Sequence, residues 1–166
     1  MGRHGIAVLS VREGVAFETP LESDCASLAP LVRVLLEEGL SLHCLRDPTR
    51  GGLATVLNEG GIALDGGVGV AIDETAVPVT EGVTGARELL GLDPLYVACE
   101  GRMVVFLPEA GADRALGILR SHPLGLRASR IGRVTEGPNG MVTLKTRLRG
   151  RRLLDLLSGE QLPRIC

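Results

Sequence analysis

Residues 42–57 read Leu-His-Cys-Leu-Arg-Asp-Pro-Thr-Arg-Gly-Gly-Leu-Ala-Thr-Val-Leu. A short apolar strand, Leu42–Leu45, gives way to helical spacing at Leu53, Val56 and Leu57. Asp47 is placed to cap that helix, with Pro48 at its first position. Gly51 and Gly52 remove side chains where a ligand would approach. Free N–H groups at a helix start, with Thr49 and Arg50 beside them, would make an anion site. The bland alternative is a strand-to-helix turn with a good cap. The segment is not a P-loop, because the Gly-Lys-Ser/Thr ending is missing.

Working outward, the spacing predicts a strand over Ile6–Ser10 and a turn-rich stretch from Pro20 to Cys25. A helix follows, with Ser27 as N-cap, Pro30 in the first turn and Gly39 as stop. Leu28, Leu31, Val32, Leu35 and Leu36 share one of its faces. Beyond the opening stretch, Gly60-Gly61 and Gly66-Gly67 break the chain. Val68–Ile72 alternates as a strand. Thr80–Leu90 reads as a helix with Val83, Ala86, Leu89 and Leu90 inward and Gly91 as stop. Tyr96–Cys99 and Met103–Leu107 read as strands joined by the hairpin-like link Glu100-Gly101-Arg102. Residues 109–121 read as a helix. Ser129–Thr135 and Met141–Thr146 read as strands around Gly137-Pro138-Asn139-Gly140, and Arg151–Leu157 is a last apolar element. Strands and helices alternate irregularly, which predicts an α+β fold, a mixed sheet packed with helices, and not a doubly wound parallel sheet. One domain is expected over 1–158, with 159–166 as a flexible tail.

Composition narrows the function. The chain has 166 residues, 45% of them hydrophobic, enough for one core. It holds two Phe, one Tyr and no Trp, so it lacks the stacking platforms that single-stranded nucleic acid requires. Net charge is −2, and the local Arg147, Arg149, Arg151, Arg152 cluster reads as a solvated strand face. No nucleic-acid partner is expected. The N-terminal apolar stretch is too short for a signal peptide, and no run is long enough to span a bilayer. A cytoplasmic protein without membrane contact is expected. The four cysteines, at 25, 44, 99 and 166, form no C-x-x-C pair and fit no zinc template, so no metal site is expected. Cys44 reads as a small buried hydrophobe.

Two further features carry possible chemistry. Cys99-Glu100-Gly101 places a carboxylate on a short link, with Gly101 permitting close approach of another segment. Glu100 reads either as a general base or as an exposed turn acid. The ending Gly159-Glu160-Gln161-Leu162-Pro163-Arg164-Ile165-Cys166 puts a thiol on the last residue. Gly159 offers a hinge and Pro163 stiffens the arm. Extended, the arm would reach about 25 Å. A thiol so placed can be loaded in one site and unloaded in another; the alternative is a frayed end with an incidental Cys.

The ending Pro163-Arg164-Ile165-Cys166 resembles the terminal motif of the HypE family, the carbamoyl dehydratases of nickel–iron hydrogenase maturation. His43 to Leu53, Leu92-Asp93-Pro94-Leu95-Tyr96-Val97-Ala98 and His122-Pro123-Leu124-Gly125 resemble other motifs of that family, in the same order. The resemblance runs from about Gly5 to the end. It implies the C-terminal half of a two-domain protein, with a fold like the C-terminal domain of aminoimidazole ribonucleotide synthetase-like proteins. The N-terminal half, absent from these residues, would supply most of the site for ATP and Mg and the dimer interface. Gly2-Arg3-His4-Gly5 resembles the interdomain junction, and Met1 before it points to a separated domain or a split gene. Cys99 stands where the family has Asn, and Gly60-Gly61 interrupts a region that is usually more helical.

The family's mechanism assigns the roles. A carbamoyltransferase, HypF, loads a carbamoyl group onto the Cys166 thiol; ATP phosphorylates its oxygen; a base, for which Glu100 is the candidate, removes a nitrogen proton as phosphate leaves. The thiocyanate so formed yields cyanide for iron on a scaffold of HypC and HypD. Pro163, Arg164 and Ile165 form the tail motif, and Asp47, Thr49, Arg50, Gly51 and Gly52 are candidates for the phosphate side of the cleft. Two competing expectations are a non-catalytic thiol carrier and a partner-docking domain.

Overall fold

The computed structural model describes residues 1–15, 17, 21–59, 67–137 and 140–156. Backbone pairing sorts the described strands into two sheets. In the smaller, β1 (Cys44–Arg46) pairs antiparallel with β3 (Val104–Phe106), Leu45 opposite Val105. The larger has the order β4-β2-β5-β6, from β2 (Gly69–Asp73), β4 (Gly132–Thr135), β5 (Val142–Lys145) and β6 (Arg151–Leu153). β2 runs parallel to β5 and antiparallel to β4, so the sheet is mixed and the fold is α+β. The strands at 132–135 and 142–145 do not pair to each other, because β2 lies between them.

Alternation along β2 and β5 turns Val70, Ile72, Val142 and Leu144 to one side, all nearly inaccessible to solvent. That side packs on Leu53, Ala54 and Leu57 of α3 (Gly52–Asn58), on Leu95 and on Leu154. A second cluster joins Ile6, Val83, Ala86 and Val97. Val83 and Ala86 come from α4 (Glu81–Leu90), which ends at Gly91 as its sequence predicts. Leu89, expected inward, is 70% exposed, because the core stripe of this helix is only two residues wide. α2 (Ala29–Glu37) starts later than Ser27 predicts: Leu28 is its N-cap, and Pro30 lies in the first turn. Leu31 and Leu35 are buried while Leu36 is exposed. α5 (Ala112–Ser121) follows a single 3-10 turn over Glu109–Gly111.

Two predicted strands are not strands. Residues Arg3–Glu13 form a helix, α1, although Ile6–Ser10 has the composition of a strand. Its Gly5 backbone lies against the 97–98 segment, donating to the Ala98 carbonyl at 3.1 Å, and Ile6 is fully buried. This docking along one stripe overrides local propensity. Tyr96–Cys99 is an irregular strap. Its main-chain groups are satisfied by three different neighbours, not by a parallel or antiparallel partner. Leu95 O accepts from Ala54 N at 2.9 Å, Ala98 O from Gly5 N, and Cys99 N donates to Pro48 O at 3.0 Å. Glu100-Gly101-Arg102 is therefore not a hairpin link, since β3 finds its partner in β1. The expected breaks at 60–66 and the tail at 159–166 lie outside the described residues. No helix among the described residues is long and apolar enough to cross a membrane.

Candidate functional site

The strap gathers three of the sequence motifs. Its inner side seats the turn that precedes α3. Gly52 has φ +62°, and a Cβ there would lie 2.7 Å from both Leu95 O and Val97 O. Only glycine fits both the left-handed backbone and the contact. The turn thus serves close packing of chain on chain. Asp47 does not cap the helix. The helix begins at Gly52, Gly51 is its N-cap without a side-chain bond, and the Asp47 carbonyl accepts from Thr49 N at 2.9 Å. Asp47 and Arg50 are exposed, Thr49 is half-buried, and Pro48 is buried. The N–H groups expected to be free are in part used: Gly52 N donates to Thr49 O at 3.1 Å, Ala54 N to Leu95 O. The proximity to Glu100 remains, through the Cys99 N to Pro48 O bond.

The outer end of the strap is the Glu100 turn, and it is fixed from the other side by Asp24. Asp24 lies in the irregular stretch before α2, its side chain 3% exposed. Its Oδ1 accepts from Glu100 N at 3.2 Å, and its Oδ2 is 3.5 Å from Arg102 Nε. Arg102 also donates to Gly101 O at 2.9 Å. An added Cβ at Gly101 would lie 1.6 Å from the Asp24 carbonyl oxygen. Gly101 does admit another segment, as its sequence predicts, and among the described residues that segment is the Asp24 backbone. Glu100 itself is half-buried. Pro48, Gly101 and Arg102 also stand in the wall of a cavity of about 590 Å³ whose floor includes Leu53, Leu57 and Ile72.

Cys99 is fully buried at the centre of this strap. Its Sγ takes the Gly2 N–H at 3.0 Å and faces Val97 O at 3.7 Å, so the thiol is itself a partner in the local bonding. Burial pushes its pKa up, opposed in part by the Gly2 N–H. Cys44 is half-buried beside the main core, less enclosed than predicted, and Cys25 is exposed. Cys25 Sγ lies 3.9 Å from His4 Nδ1, which is 2.8 Å from Ser23 Oγ.

The strap also holds the root of the C-terminal segment. Tyr96 Oη donates to Asp155 O at 2.9 Å, and Asn58 Nδ2, buried, donates to Leu154 O at 2.7 Å. Asp93 accepts from Leu95 N at 3.0 Å with one oxygen and pairs with Arg152 through the other at 2.5 Å. Cys166, Pro163, Arg164 and Ile165 lie outside the described residues. Asp24 gave no site signal in the sequence, and Arg102, Tyr96 and Asp93 stood in motif or link stretches without a role of their own. The partners that matter are remote in the chain: Asp24 with Glu100 and Arg102, Tyr96 with Asp155, and Asp93 with Arg152. Among the described residues, no group of three or more His, Cys, Asp or Glu side chains is placed to hold a metal ion.

Residues 1–145 match the family of AIR synthase related proteins, C-terminal domain. The chain is 52% identical over all 166 residues to the carbamoyl dehydratase HypE of Cupriavidus necator, covering 47% of that protein. It is 48% identical over its full length to the HypE of Azotobacter vinelandii, covering 48% of that protein. Among solved structures, a hydrogenase maturation protein HypE in complex with ATP superposes with a TM-score of 0.92 at 48% identity, covering all of this chain and 50% of that one. A HypE–HypF complex gives 0.88 at 41% identity, over 95% of this chain and 50% of that one. The chain spans about half the length of the curated relatives it matches. With the mixed sheet, the Gly52 turn and the strap in place, the chain belongs to the family of AIR synthase-related C-terminal domains.

Proposed function

We propose that this domain is the C-terminal half of an ATP-dependent carbamoyl dehydratase that matures nickel–iron hydrogenases in the cytoplasm. Residues 1–158 form the domain, and 159–166 carry the substrate on Cys166. A HypF-type carbamoyltransferase loads the thiol. The HypE–HypF complex among its structural relatives supports that partner. The loaded arm then meets ATP, held with Mg mainly by an N-terminal half, which also makes a homodimer. The cyanide product passes to an iron scaffold of the HypC–HypD kind.

The observation that carries this reading is the Glu100 turn, flanked by the Cys99 N–H bond to Pro48 O on one side and held by Asp24 on the other. A base for dehydration must be held where the loaded arm arrives. The thioester-like group S–C(=O)–NH₂ gains phosphate on oxygen from ATP, releasing ADP. Loss of the nitrogen protons and of inorganic phosphate then leaves S–C≡N. Glu100 takes a nitrogen proton as the C–O bond breaks. Phosphorylation makes that proton more acidic, and a positioned base adds about 10²–10⁴-fold in rate. The thiolate of Cys166 is the nucleophile in loading, so it needs access and not burial. The 47–52 turn lies beside Glu100 through its Pro48 bond and forms the floor under the arriving phosphate, with Thr49 and Arg50 at its edge.

The test uses the two-domain protein containing this chain. It is incubated with carbamoyltransferase and carbamoyl phosphate, then with Mg-ATP, and followed by mass spectrometry in single turnover. Cys166→Ala should take up no carbamoyl group with its melting temperature unchanged; normal loading of that variant overturns the assignment. Glu100→Gln should load normally and lose water slowly. Thiocyanate at the wild-type rate would make Glu100 a turn residue only.

A further inference from the structure

Asp24 is a buried carboxylate in an irregular loop, with 3% of its side chain exposed. Burying an ionised acid is costly unless charge and hydrogen bonds compensate it. Here the compensation comes from the Glu100 turn: the Glu100 N–H on Oδ1 at 3.2 Å and the Arg102 guanidinium near Oδ2 at 3.5 Å. The Asp24 main chain touches the same turn, because its carbonyl fills the space a Gly101 side chain would need. Arg102 closes the loop by donating to Gly101 O. The charged pair thus spans the turn from residue 100 to residue 102. Fixing a turn for stability alone needs no ion pair, since the rest of the strap is held by main-chain bonds such as Gly5 N to Ala98 O and Cys99 N to Pro48 O. Charge and main-chain contact converging on one residue's backbone make sense where that residue's side chain must be aimed.

We propose that Asp24 is the positioning residue for Glu100, with Arg102 as its counter-ion, setting where the base meets the loaded arm. The inference rests on the reading of Glu100 as the base. Displacing a catalytic group by about 1 Å can cost on the order of 10²-fold.

The experiment is again single-turnover dehydration in the two-domain protein, now with Asp24→Asn, Glu100→Gln and the double variant. Asp24→Asn keeps an acceptor for the Glu100 N–H but removes the charge facing Arg102. It should load at Cys166 normally and lose water roughly 10–100-fold more slowly. The ATP concentration for half-maximal rate should not change. In the Glu100→Gln background, Asp24→Asn should add little further loss, because it acts through the group already removed. Arg102→Gln should reproduce the Asp24→Asn defect and Arg102→Lys should restore most of the rate, which serves if Asp24→Asn does not fold. A wild-type rate for Asp24→Asn while Glu100→Gln is slow overturns this inference and spares the base. Full additivity in the double variant also overturns it, since Asp24 then supports the fold and nothing more. A wild-type rate for Glu100→Gln overturns the reading beneath both.

Discussion

Single side chains here differ sharply in what surrounds them, and the thiols report it. Cys25 is exposed beside His4, while Cys99 is fully buried with its pKa pushed up by desolvation. An aromatic disulfide reagent at pH 8 should label Cys25 within minutes and reach Cys99 only on unfolding. Equal rates on the native domain would contradict the buried strap. Cys25→Ala should change stability by less than about 0.5 kcal/mol, as surface substitutions do. Asp73 offers a pH handle. Hydrogen bonds from Lys145 and Thr75 lower its pKa from 3.8 to about 2. A carboxyl held low in the folded state stabilises it fully above its unfolded pKa, and the benefit fades as pH falls through the folded value. Denaturant midpoints measured from pH 5 to pH 2 should therefore fall for the wild type. They should fall less steeply for Asp73→Asn, and parallel slopes would show that the pair at this end of β2 and β5 is without effect.

The strap bonds to α1, to α3 and to the Pro48 turn, so its contact at Gly52, where the backbone is also left-handed, should be sensitive. Gly52→Ala would force a Cβ to 2.7 Å from two strap carbonyls in a backbone with φ +62°. A loss of about 3 kcal/mol or more is expected from strain and overpacking together, read as a drop in urea midpoint. A change below 1 kcal/mol would mean that the strap yields easily. The same segment shows what the sequence could and could not convey. Periodicity located β2, β5, α4 and α5, because their apolar positions answer to one neighbour at a fixed repeat. It misread Ile6–Ser10 and Tyr96–Cys99 as strands, because those runs pack against each other and against α3 through main-chain bonds that leave no pattern in side chains. Asp47 was legible as a turn residue but not as an exposed one, since the cap it seemed to form depended on where α3 begins. The Glu100 turn was visible as Glu-Gly between apolar runs. Asp24, 76 residues earlier in the chain, could be joined to it only by the fold.

At the scale of the molecule, the domain is expected to bind Mg-ATP weakly or not at all by itself, because its 47–52 turn spends N–H groups on its own packing. Calorimetry is the check, and micromolar affinity for the 166-residue chain would place the nucleotide site in this half. Leu154, fully buried, ties the larger sheet to the root of the C-terminal segment. Leu154→Ala should destabilise by about 2–5 kcal/mol, seen in thermal melts. The Tyr96 hydroxyl bond to Asp155 has a consequence for kinetics. It puts the anchorage of the tether on the same strap whose far end is Glu100. If Cys166 carries the substrate and Glu100 is the base, as proposed, a substrate tied to such a post does not dilute: its encounter with the base is first order and is governed by an effective molarity that linker length sets. Residues inserted or deleted after Asp155 should therefore change the rate of water loss in the two-domain protein with an optimum length, as a ruler does. Releasing the post with Tyr96→Phe should blunt that optimum.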